Sequence, residues 1–320
     1  MKTTLLLFAL WSSIATAEAT IFRVNNTGVP GTYTTFSAAH GDASDGDTIH
    51  VEASMFSYGS HFISKQLVVI GPGFFLGENA MTQLNFPSAT FNWFSFGNGG
   101  EGTVVSGITF TQSMHINRSN VRFERCRFTG PLGLYGNPLN SIQIIGCHIE
   151  GDFSIQSGVA VSNITIANNI FTGTLTQGGS ATGEFVNNTI SNTSTESVFS
   201  LNGLVVRNNI FDCEVTPGGN VFMNNLFRTA PIAATNGNQI NVPMGGMFIG
   251  GTVDNQWQHA PGSAAVGAGD NGEDAGAFGG NEPYRLSGVP AVPSVFGLTV
   301  PATIELDAPL PITMSARTNN

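Results

Sequence analysis

Charged side chains are scarce in this chain of 320 residues, because only 10% of them are Asp, Glu, Lys or Arg. Lysine is the rarest of the four, and Lys65 is the only one after Lys2. Lys and Glu are strong helix formers, so their shortage argues against a largely helical protein. The net charge of −10 argues against a nucleic-acid partner, which would need a basic surface.

Long apolar runs are also lacking. The apolar segment from Thr4 to Ile14 is shorter than the ~20 residues that a membrane-spanning helix requires. Lys2 precedes this segment and Ala15-Thr16-Ala17 follows it, which is the pattern of a cleaved secretory signal over residues 1–17. The mature protein is therefore predicted to be secreted or held at the cell surface by something other than a membrane span.

What the chain does contain is one short phrase that recurs six times between Val121 and Phe227. The copies read VRFERCRF, IQIIGCHI, ITIANNIF, GEFVNNTI, LVVRNNIF and VFMNNLF. Their alignment gives one column of Cys and Asn, made of Cys126, Cys147, Asn169, Asn188, Asn209 and Asn225. Two residues later it gives an apolar column, made of Phe128, Ile149, Phe171, Ile190, Phe211 and Phe227. The steps of 21, 22, 19, 21 and 16 residues indicate a solenoid with one coil per repeat.

Each copy alternates apolar and polar residues, so as a β-strand it has one face that needs cover. Stacking successive coils about 4.8 Å apart supplies that cover and pairs the backbone between coils. Asn suits the bend of each coil because it tolerates left-handed backbone angles. Stacked Asn side chains would then form an internal amide ladder.

The Asn-Asn phrase resembles the repeat of right-handed parallel β-helix proteins with the pectate-lyase-like fold. The segments YTTFSAAHGDASDGDTIHV at 33–51 and DAGAFGGNEPYRLSGVPAVPSVFGLTV at 274–300 resemble the beginning and end of secreted bacterial members, particularly uncharacterised ones from Bacteroidetes. The resemblance implies an all-β, single-stranded right-handed parallel β-helix. It does not imply an activity, since this fold carries lyases, hydrolases, adhesins and passive scaffolds.

Four regions follow from this interpretation. Residues 1–17 are the signal, and residues 18–47 are an entry strand with a short capping helix that begins after Thr35. Residues 48–288 form the β-helix, in which 244–249 and 264–266 are expected to belong to closing coils. Residues 289–320 are an extended, Pro-punctuated tail that lies on the flank of the coils, covers their open end or presents a strand to a partner.

Three cysteines do not make a disulfide framework. Cys126 and Cys147 lie one coil apart, within bridging distance, but stacked side chains point in parallel. We expect free, buried thiols, and Cys213 is unpaired in either case. The chain also lacks the GxSxG, HExxH and CxxC motifs of hydrolases, zinc enzymes and redox proteins.

The central coils hold the densest group of charges. Arg127 aligns with His148 of the next coil, and Glu150 follows at an alternate position, so these three are the candidate catalytic residues of a polysaccharide lyase. A lyase acting on a uronate needs a base and a cation to stabilise developing charge. Arg125, Asp152 and Asp212 complete the predicted outward patch as candidate binding residues. The competing interpretation is cross-strand charge pairs on a solvated face, each contributing about 0.2–1 kcal/mol.

No metal site or cofactor is predicted, although calcium remains an alternative at two acidic groups. Asp42, Asp45 and Asp47 follow the capping helix, but their spacing does not match a twelve-residue calcium loop. A second group contains Asp270, Glu273 and Asp274. In both groups the favoured interpretation is a turn in which Asp accepts backbone N–H bonds.

Two functions remain open from the sequence. The favoured one is an exported, monomeric scaffold or binding protein that contacts an extracellular polysaccharide or a cell-surface protein without catalysis. The alternative is a polysaccharide lyase or glycoside hydrolase acting on an acidic polymer such as pectin or alginate. Arg and carboxylate side chains paired to one another would favour binding, whereas a groove into which Arg127, His148 and Glu150 converge would favour the enzyme.

Overall fold

The computed structural model describes residues 19–80, 82–136, 138–303 and 309–319. Most regular structure in these ranges is β-strand, and one α-helix, α1, spans Phe36–Asp42. Three 3-10 turns are Asp254–Trp257, Asp270–Gly272 and Leu286–Gly288. None of the described residues forms a helix that is long and apolar enough to cross a membrane. The predicted signal at 1–17 lies outside the described residues.

The described strands are short and follow one another in coils. The first ten are β1 Ile21–Val24, β2 Thr48–Val51, β3 His61–Ile63, β4 Val68–Ile70, β5 Thr90–Phe91, β6 Phe94–Phe96, β7 Val104–Ser106, β8 Thr109–Phe110, β9 Met114–Ile116 and β10 Arg122–Glu124. The next ten are β11 Arg127–Phe128, β12 Leu132–Leu134, β13 Leu139–Asn140, β14 Gln143–Ile145, β15 His148–Ile149, β16 Phe153–Ile155, β17 Ala160–Ala167, β18 Ile170–Phe171, β19 Leu175–Gln177 and β20 Ser180–Val186. The last nine are β21 Thr189–Ser191, β22 Ser197–Phe199, β23 Leu204–Arg207, β24 Ile210–Asp212, β25 Glu214–Val215, β26 Val221–Met223, β27 Leu226–Phe227, β28 Ser294–Thr299 and β29 Thr313–Arg317.

Three parallel sheets run along the molecule. The first sheet contains β1, β2, β4, β7, β10, β14, β17, β20, β23 and β26 in that order, with β13 beside β17. The second sheet runs from β5 to β27 and takes one strand from each of eight coils. The third sheet runs from β9 to β25, and β3 pairs with β6 at its N-terminal side. The predicted parallel β-helix is confirmed by this order, because each strand pairs with its counterpart one coil away.

The interior is a column of aromatic and aliphatic side chains in the predicted register. Phe128 pairs with Ile149, Ile149 with Phe171, and the pairing continues through Ile190 and Phe211 to Phe227. All of these side chains are buried. The rings of Phe211 and Phe227 are stacked, with their centroids 4.9 Å apart. The core is therefore continuous from coil to coil, as stacked repeats require.

The predicted amide ladder lies at the corner between the first and second sheets. Asn169, Asn188, Asn209 and Asn225 are fully buried, and the Oδ1 atom of each accepts the backbone N–H of the residue one coil before it. Asn238 extends the ladder by one further coil, which the decaying period after Phe227 had hidden. Cys126 and Cys147 occupy the same column as free, buried thiols, as expected.

The first residue of each Asn pair has a different task. Asn168, Asn187, Asn208 and Asn224 have φ between 52° and 58°, in the left-handed region that Asn tolerates better than other side chains. Arg125 occupies the same corner position with φ 52°. The left-handed residue turns the chain sharply, so one Asn of the pair faces the interior and the other faces outward.

The entry helix forms as predicted, since Thr35 Oγ1 accepts the N–H of Ala38 at 3.2 Å. Phe36 and Ala39 are buried on the helix, and the Phe36 ring meets the ring of Phe91 edge-on at 5.4 Å. The helix therefore covers core rings that the first coil would otherwise expose.

The expected closing coils at 244–249 and 264–266 are not found. After Val242 the chain turns back and lies along the outer face of the second sheet, and residues 244–289 are called the return segment below. Its backbone is held by the outward corner side chains. Asn168 Nδ2 donates to Ala277 O and Gly279 O, and Thr189 Oγ1 accepts from Ala277 N. Ile170, Ile210 and Leu226, which face outward, are buried beneath it.

The C-terminal residues form an antiparallel hairpin of β28 and β29 beside the coils. Leu84 N donates to Val295 O at 3.0 Å, and Arg125 Nη1 donates to Val289 O at 3.0 Å. The described part of the tail thus contacts the flank of the β-helix. Leu298, Leu310, Ile312 and Met314 of this region are exposed.

Candidate functional site

Arg127, His148 and Glu150 are brought together on the outer face of the second sheet. Arg127 on β11 pairs in register with His148 on β15, as the repeat alignment predicts. Arg127 Nε donates to Glu150 Oε1 at 2.7 Å, and His148 Nδ1 lies 3.4 Å from the same oxygen. Glu150 is therefore shared by both neighbours and already neutralises the guanidinium.

The cluster does not face open solvent as an outward patch would. Phe74 and Phe75 lie over it, and the ring of Phe74 is stacked on His148 with centroids 6.3 Å apart. The guanidinium carbon of Arg127 lies 4.2 Å from the centroid of Phe75. His148 is only 5% exposed as a result. The three side chains point outward from the sheet, as predicted. However, the loop that carries Phe74 and Phe75, together with the return segment, covers them.

Burial decides the protonation of His148. It lowers the pKa of the imidazole from 6.5 to about 4, although the neighbouring Glu150 carboxylate acts in the opposite direction. Nδ1 has no hydrogen-bond partner among the described residues, so its proximity to Glu150 gives little direct stabilisation to the imidazolium. The ring is therefore neutral at pH 7, and Arg127 and Glu150 form the ion pair beside it.

The loop over the cluster is anchored by a buried polar network. Asp254 is fully buried and accepts hydrogen bonds from Asn79 Nδ2 at 2.7 Å, Tyr284 Oη at 3.1 Å and Ser287 N at 2.6 Å. Burial raises the pKa of the Asp254 carboxyl, and these donors oppose that shift. Phe74 N also donates to Ser287 O at 2.8 Å. The return segment and the loop thus hold each other over His148.

The three candidate binding residues do not join the cluster. Asp152 lies beyond a bend after Glu150, and its Oδ1 accepts from Thr174 N and Oγ1 at 2.9 and 2.7 Å. Asp212 lies three coils away from the cluster, where its Oδ1 is 3.5 Å from Arg228 Nη1. Arg125 points away from the cluster and donates from Nη1 to Val289 O. Burial is the main cause that lowers the pKa of its guanidinium. The repeat spacing had placed Asp212 further along the column of Glu150, but it did not show the separation of Asp152 and Arg125, because bends between short strands redirect alternate residues.

A polar cavity of about 370 Å³ opens beside Arg125. Its lining includes Arg122, Glu124, Arg125, Glu282 and Arg285. Arg122 is bonded to Glu124 at 2.7 Å and to Gln143 at 2.7 Å. The cavity is therefore lined by both cationic and anionic side chains, and the guanidinium of Arg122 is already paired with Glu124.

The acidic groups considered for calcium are engaged in turns. Asp47 accepts the N–H groups of Thr20 and Ser44 at 2.7 Å, and Asp45 accepts that of Gln66. Asp274 accepts the N–H of Gly267, while Asp270 lies 3.4 Å from Arg207. Over the described ranges, no group of three His, Cys, Asp or Glu side chains has an arrangement that could hold a metal ion.

The aromatic stretch at 90–96 indicated that at least one of Phe91, Trp93 and Phe94 lies at the surface, but the sequence did not show a group of aromatic side chains across the β3–β6 pair and the adjoining third sheet. Phe62 and Trp93 are 61% and 36% exposed, and His115 and Tyr135 lie side by side with ring centroids 4.0 Å apart. The signal was present in MHI, where the exposed His115 lies between buried Met114 and Ile116, and in LGLY, where the half-buried Tyr135 follows buried Leu134. A second missed signal is the apolar pair that follows three of the four Asn-Asn pairs, which indicates a strand buried on both faces.

These features define a parallel β-helix whose second sheet is covered by its own chain. No protein-family model matches the chain, and no curated protein matches it in sequence. Among solved structures it is similar to one titled "Crystal structure of pectate lyase Pel9A", with 14% identity and a TM-score of 0.38 over 82% of this chain and 96% of that chain. A likeness this distant carries no argument about activity, and the fold assignment rests on the strand pairing described above.

Proposed function

We propose that this protein is an exported, monomeric β-helix scaffold that binds an extracellular polysaccharide through its outer coil surfaces without cleaving it. The predicted signal at 1–17 supports export. The stacked coils support binding of an extended polymer, because they present the same outward positions at regular intervals along the molecule.

The observation that carries the absence of catalysis is the state of the Arg127 cluster. A lyase needs a base that reaches the proton to be removed, together with a cation that is free to stabilise the developing charge. His148 is 5% exposed beneath Phe74 and Phe75, and Arg127 is bonded to Glu150 at 2.7 Å. A sugar ring would have to displace the loop before it reached either group.

The alternative of a lyase has one observation in its favour. Arg127, His148 and Glu150 lie within one small region. The neutral imidazole of His148 is of the type that serves as a base, and Arg127 beside it is of the type that stabilises developing negative charge. The alternative requires Phe75 to move away from Arg127 when a substrate binds. An activity assay tests whether a substrate can reach Arg127 in this way.

The test uses the purified mature chain with pectin, alginate and uncharged polysaccharides. Binding is measured by retardation in native gels that contain each polymer, and cleavage by double-bond absorbance and reducing ends, with and without Ca²⁺. We expect retardation by at least one polymer without new products. Product formation that Arg127→Ala abolishes and Arg118→Ala retains would replace the proposal with the lyase.

A further inference from the structure

We propose that the N-terminal half of the third sheet is the binding surface, and that it takes an uncharged polysaccharide by stacking sugar rings on Phe62, Trp93, His115 and Tyr135. This inference rests on the proposed function and names its site and ligand class. The four side chains belong to four successive coils, and none of them is part of the covered cluster around Arg127.

The alternation of each short strand places these side chains outward. In β9, Met114 and Ile116 are buried while His115 is exposed between them. In β3, Ile63 is buried and Phe62 is 61% exposed. Trp93 immediately precedes β6, and its carbonyl accepts the N–H of His61. The aromatic rings therefore decorate the outer face of the sheet and are not displaced core residues.

The register makes one surface of these residues. Phe62 of β3 pairs with Ser95 of β6 in the next coil. His115 of β9 pairs in turn with Gly133 of β12, one coil further on. Phe94 N donates to Met114 Sδ at 3.2 Å, which places β6 beside β9. At about 4.8 Å for each coil, the surface from Phe62 to Gly133 extends about 14 Å. That length suits several consecutive rings of a polymer better than a single sugar.

Two glycines let aromatic rings lie against the backbone. A Cβ at Gly133 would lie 2.2 Å from Tyr135 Cε2, and a Cβ at Gly97 would lie 2.2 Å from Phe62 Cζ. Tyr135 is also held by His115, whose ring centroid is 4.0 Å away. The rings are thus fixed before a ligand arrives, which reduces the entropy lost on binding.

The polarity of the face selects the ligand class. The outward residues of β3, β6, β9, β12 and β16 are Phe62, Ser95, His115, Gly133 and Ser154. None of these is Asp, Glu, Lys or Arg, so the strands offer no cation to pair with a uronate carboxylate. Asp152 at the edge of the face would repel one, although it is bonded to Thr174. Aromatic faces beside hydroxyl groups match the apolar faces and hydroxyl rims of neutral sugars.

The experiment measures retardation in native gels that contain hydroxyethyl cellulose, xylan, galactomannan or polygalacturonate. The variants are Trp93→Ala, Tyr135→Ala and Gly133→Ala, and the last keeps every aromatic ring but forces Tyr135 to move. Phe86→Ala is the matched control, because Phe86 is 58% exposed on the loop beside Leu84, away from the third sheet. Circular dichroism and thermal melting establish that each variant is folded.

We expect at least one neutral polymer to retard the wild-type chain and the Phe86→Ala variant equally. Trp93→Ala and Tyr135→Ala should weaken that binding by about tenfold or more, since Trp and Tyr anchors are the usual hot spots of a binding surface. Gly133→Ala should weaken it as well. Retardation only by polygalacturonate, or neutral binding that all three variants retain, overturns this inference and leaves the proposed function standing. Retardation by none of the polymers overturns both.

Discussion

At the scale of single residues, the two members of each Asn pair do different work at one corner. Asn188 faces the interior, where its Oδ1 accepts from Asn169 N and Nδ2. Asn187, its neighbour, faces outward and donates to Asp274 O in the return segment. The pair therefore joins stacking inside the coil to attachment of a segment outside it, because the left-handed angle at the first Asn reverses the direction of successive side chains.

Replacing Asn188 by Ala should destabilise the protein strongly. Asn188 is fully buried, and its Nδ2 also donates to Ile166 O, Val186 O and Asn209 Oδ1. The substitution leaves several buried groups without partners, at about 1–3 kcal/mol each, so we expect a loss of about 3 kcal/mol or more. The free energy of unfolding in urea measures it.

The matched control is Asn202→Ala, at an exposed asparagine one coil further along. It should change the free energy of unfolding by less than about 0.5 kcal/mol. Equal losses from the interior and exposed substitutions would show that the ladder contributes nothing beyond the ordinary effect of an Asn at a bend.

His148 should make the stability of the protein depend on pH. Its pKa falls to about 4 in the fold, while the unfolded chain keeps a value of about 6.5. As the pH falls from 6.5 to 4, the unfolded state takes up a proton that the folded state refuses, so the free energy of unfolding decreases. The decrease attributable to His148 is about 3 kcal/mol, and it levels off below pH 4.

His148→Ile isolates this contribution, because Ile170 occupies the same outward position in the next coil and is buried there. The burial that lowers the pKa of His40, His50, His61 and His259 is common to both proteins. Urea unfolding at several pH values should therefore show that the variant loses about 3 kcal/mol less stability than the wild type between pH 7 and 4. Curves that stay parallel between pH 7 and 4 would contradict a buried neutral imidazole.

At the scale of elements, the coils are strands of two to eight residues that become stable only through their neighbours. The return segment forms no such strands, and corner side chains, the Asp254 network and buried apolar contacts hold it on the second sheet. Asn168 supports two of its carbonyls, at 3.1 and 2.8 Å. Arg125 supports Val289 O in the same manner two coils earlier, with a longer side chain. Short stretches of such a segment are expected to open locally, so that their amides exchange faster than those of the sheets, while the segment as a whole stays attached.

Asn168→Gly should release part of the return segment without disturbing the coils. Glycine adopts the φ of 55° found at Asn168 at no steric cost, and Gly146 already occupies this corner in the preceding coil with φ 60°. We expect amide hydrogen exchange to accelerate by about tenfold or more over residues 274–280 while β17 and β20 remain protected. Mass spectrometry of peptic fragments measures both.

Asn163→Gly is the matched control, since Asn163 also has a positive φ, of 54°, but its side chain bonds Asn140 on the surface. It should leave exchange in the return segment unchanged. Faster exchange throughout the coils in Asn168→Gly would mean that the return segment is required for the sheets themselves.

The elements that could be predicted from the sequence are those whose contacts lie one repeat apart. Phe171 meets Ile190 and Asn169 meets Asn188 because a period near twenty brings them together, and the period is visible in the sequence. The cover over His148 depends on contacts such as Asn79 with Ser287, which are 208 residues apart and follow no period. Arg127 and Glu150 were therefore placed together correctly, while their burial under Phe75 was not foreseen.

At the scale of the whole molecule, the three sheets have different surroundings. The second sheet is covered by the return segment and by Phe74, the first lies beside the hairpin, and the third displays Phe62, Trp93 and Tyr135. A solenoid with only neighbouring contacts unfolds from its ends. Here Asp254 is bonded to Asn79, so the C-terminal part of the chain is tied to an early coil.

This tie should make unfolding a single transition. Trp93 reports on the early coils and Trp257, packed on Phe248 with ring centroids 5.4 Å apart, reports on the return segment. With Trp93→Phe and Trp257→Phe, urea unfolding followed by fluorescence isolates one reporter at a time in the mature chain. We expect the two transitions to coincide, because the return segment cannot leave without breaking its bonds to several coils.

Combining Asn79→Ala with Asn168→Gly should separate the two transitions, because it removes the bonds from Asn79 to Asp254 and Ser287 together with those from Asn168 to residues 277 and 279. The Trp257 signal should then change at a lower urea concentration than the Trp93 signal, whereas Asn202→Ala should leave the transitions coincident. Coincidence in the double variant would show that coil stacking alone makes the molecule cooperative. Separate transitions without these two substitutions would show that the bond between Asp254 and Asn79 does not couple the return segment to the early coils. Either result would mean that the return segment is only a local cover over His148.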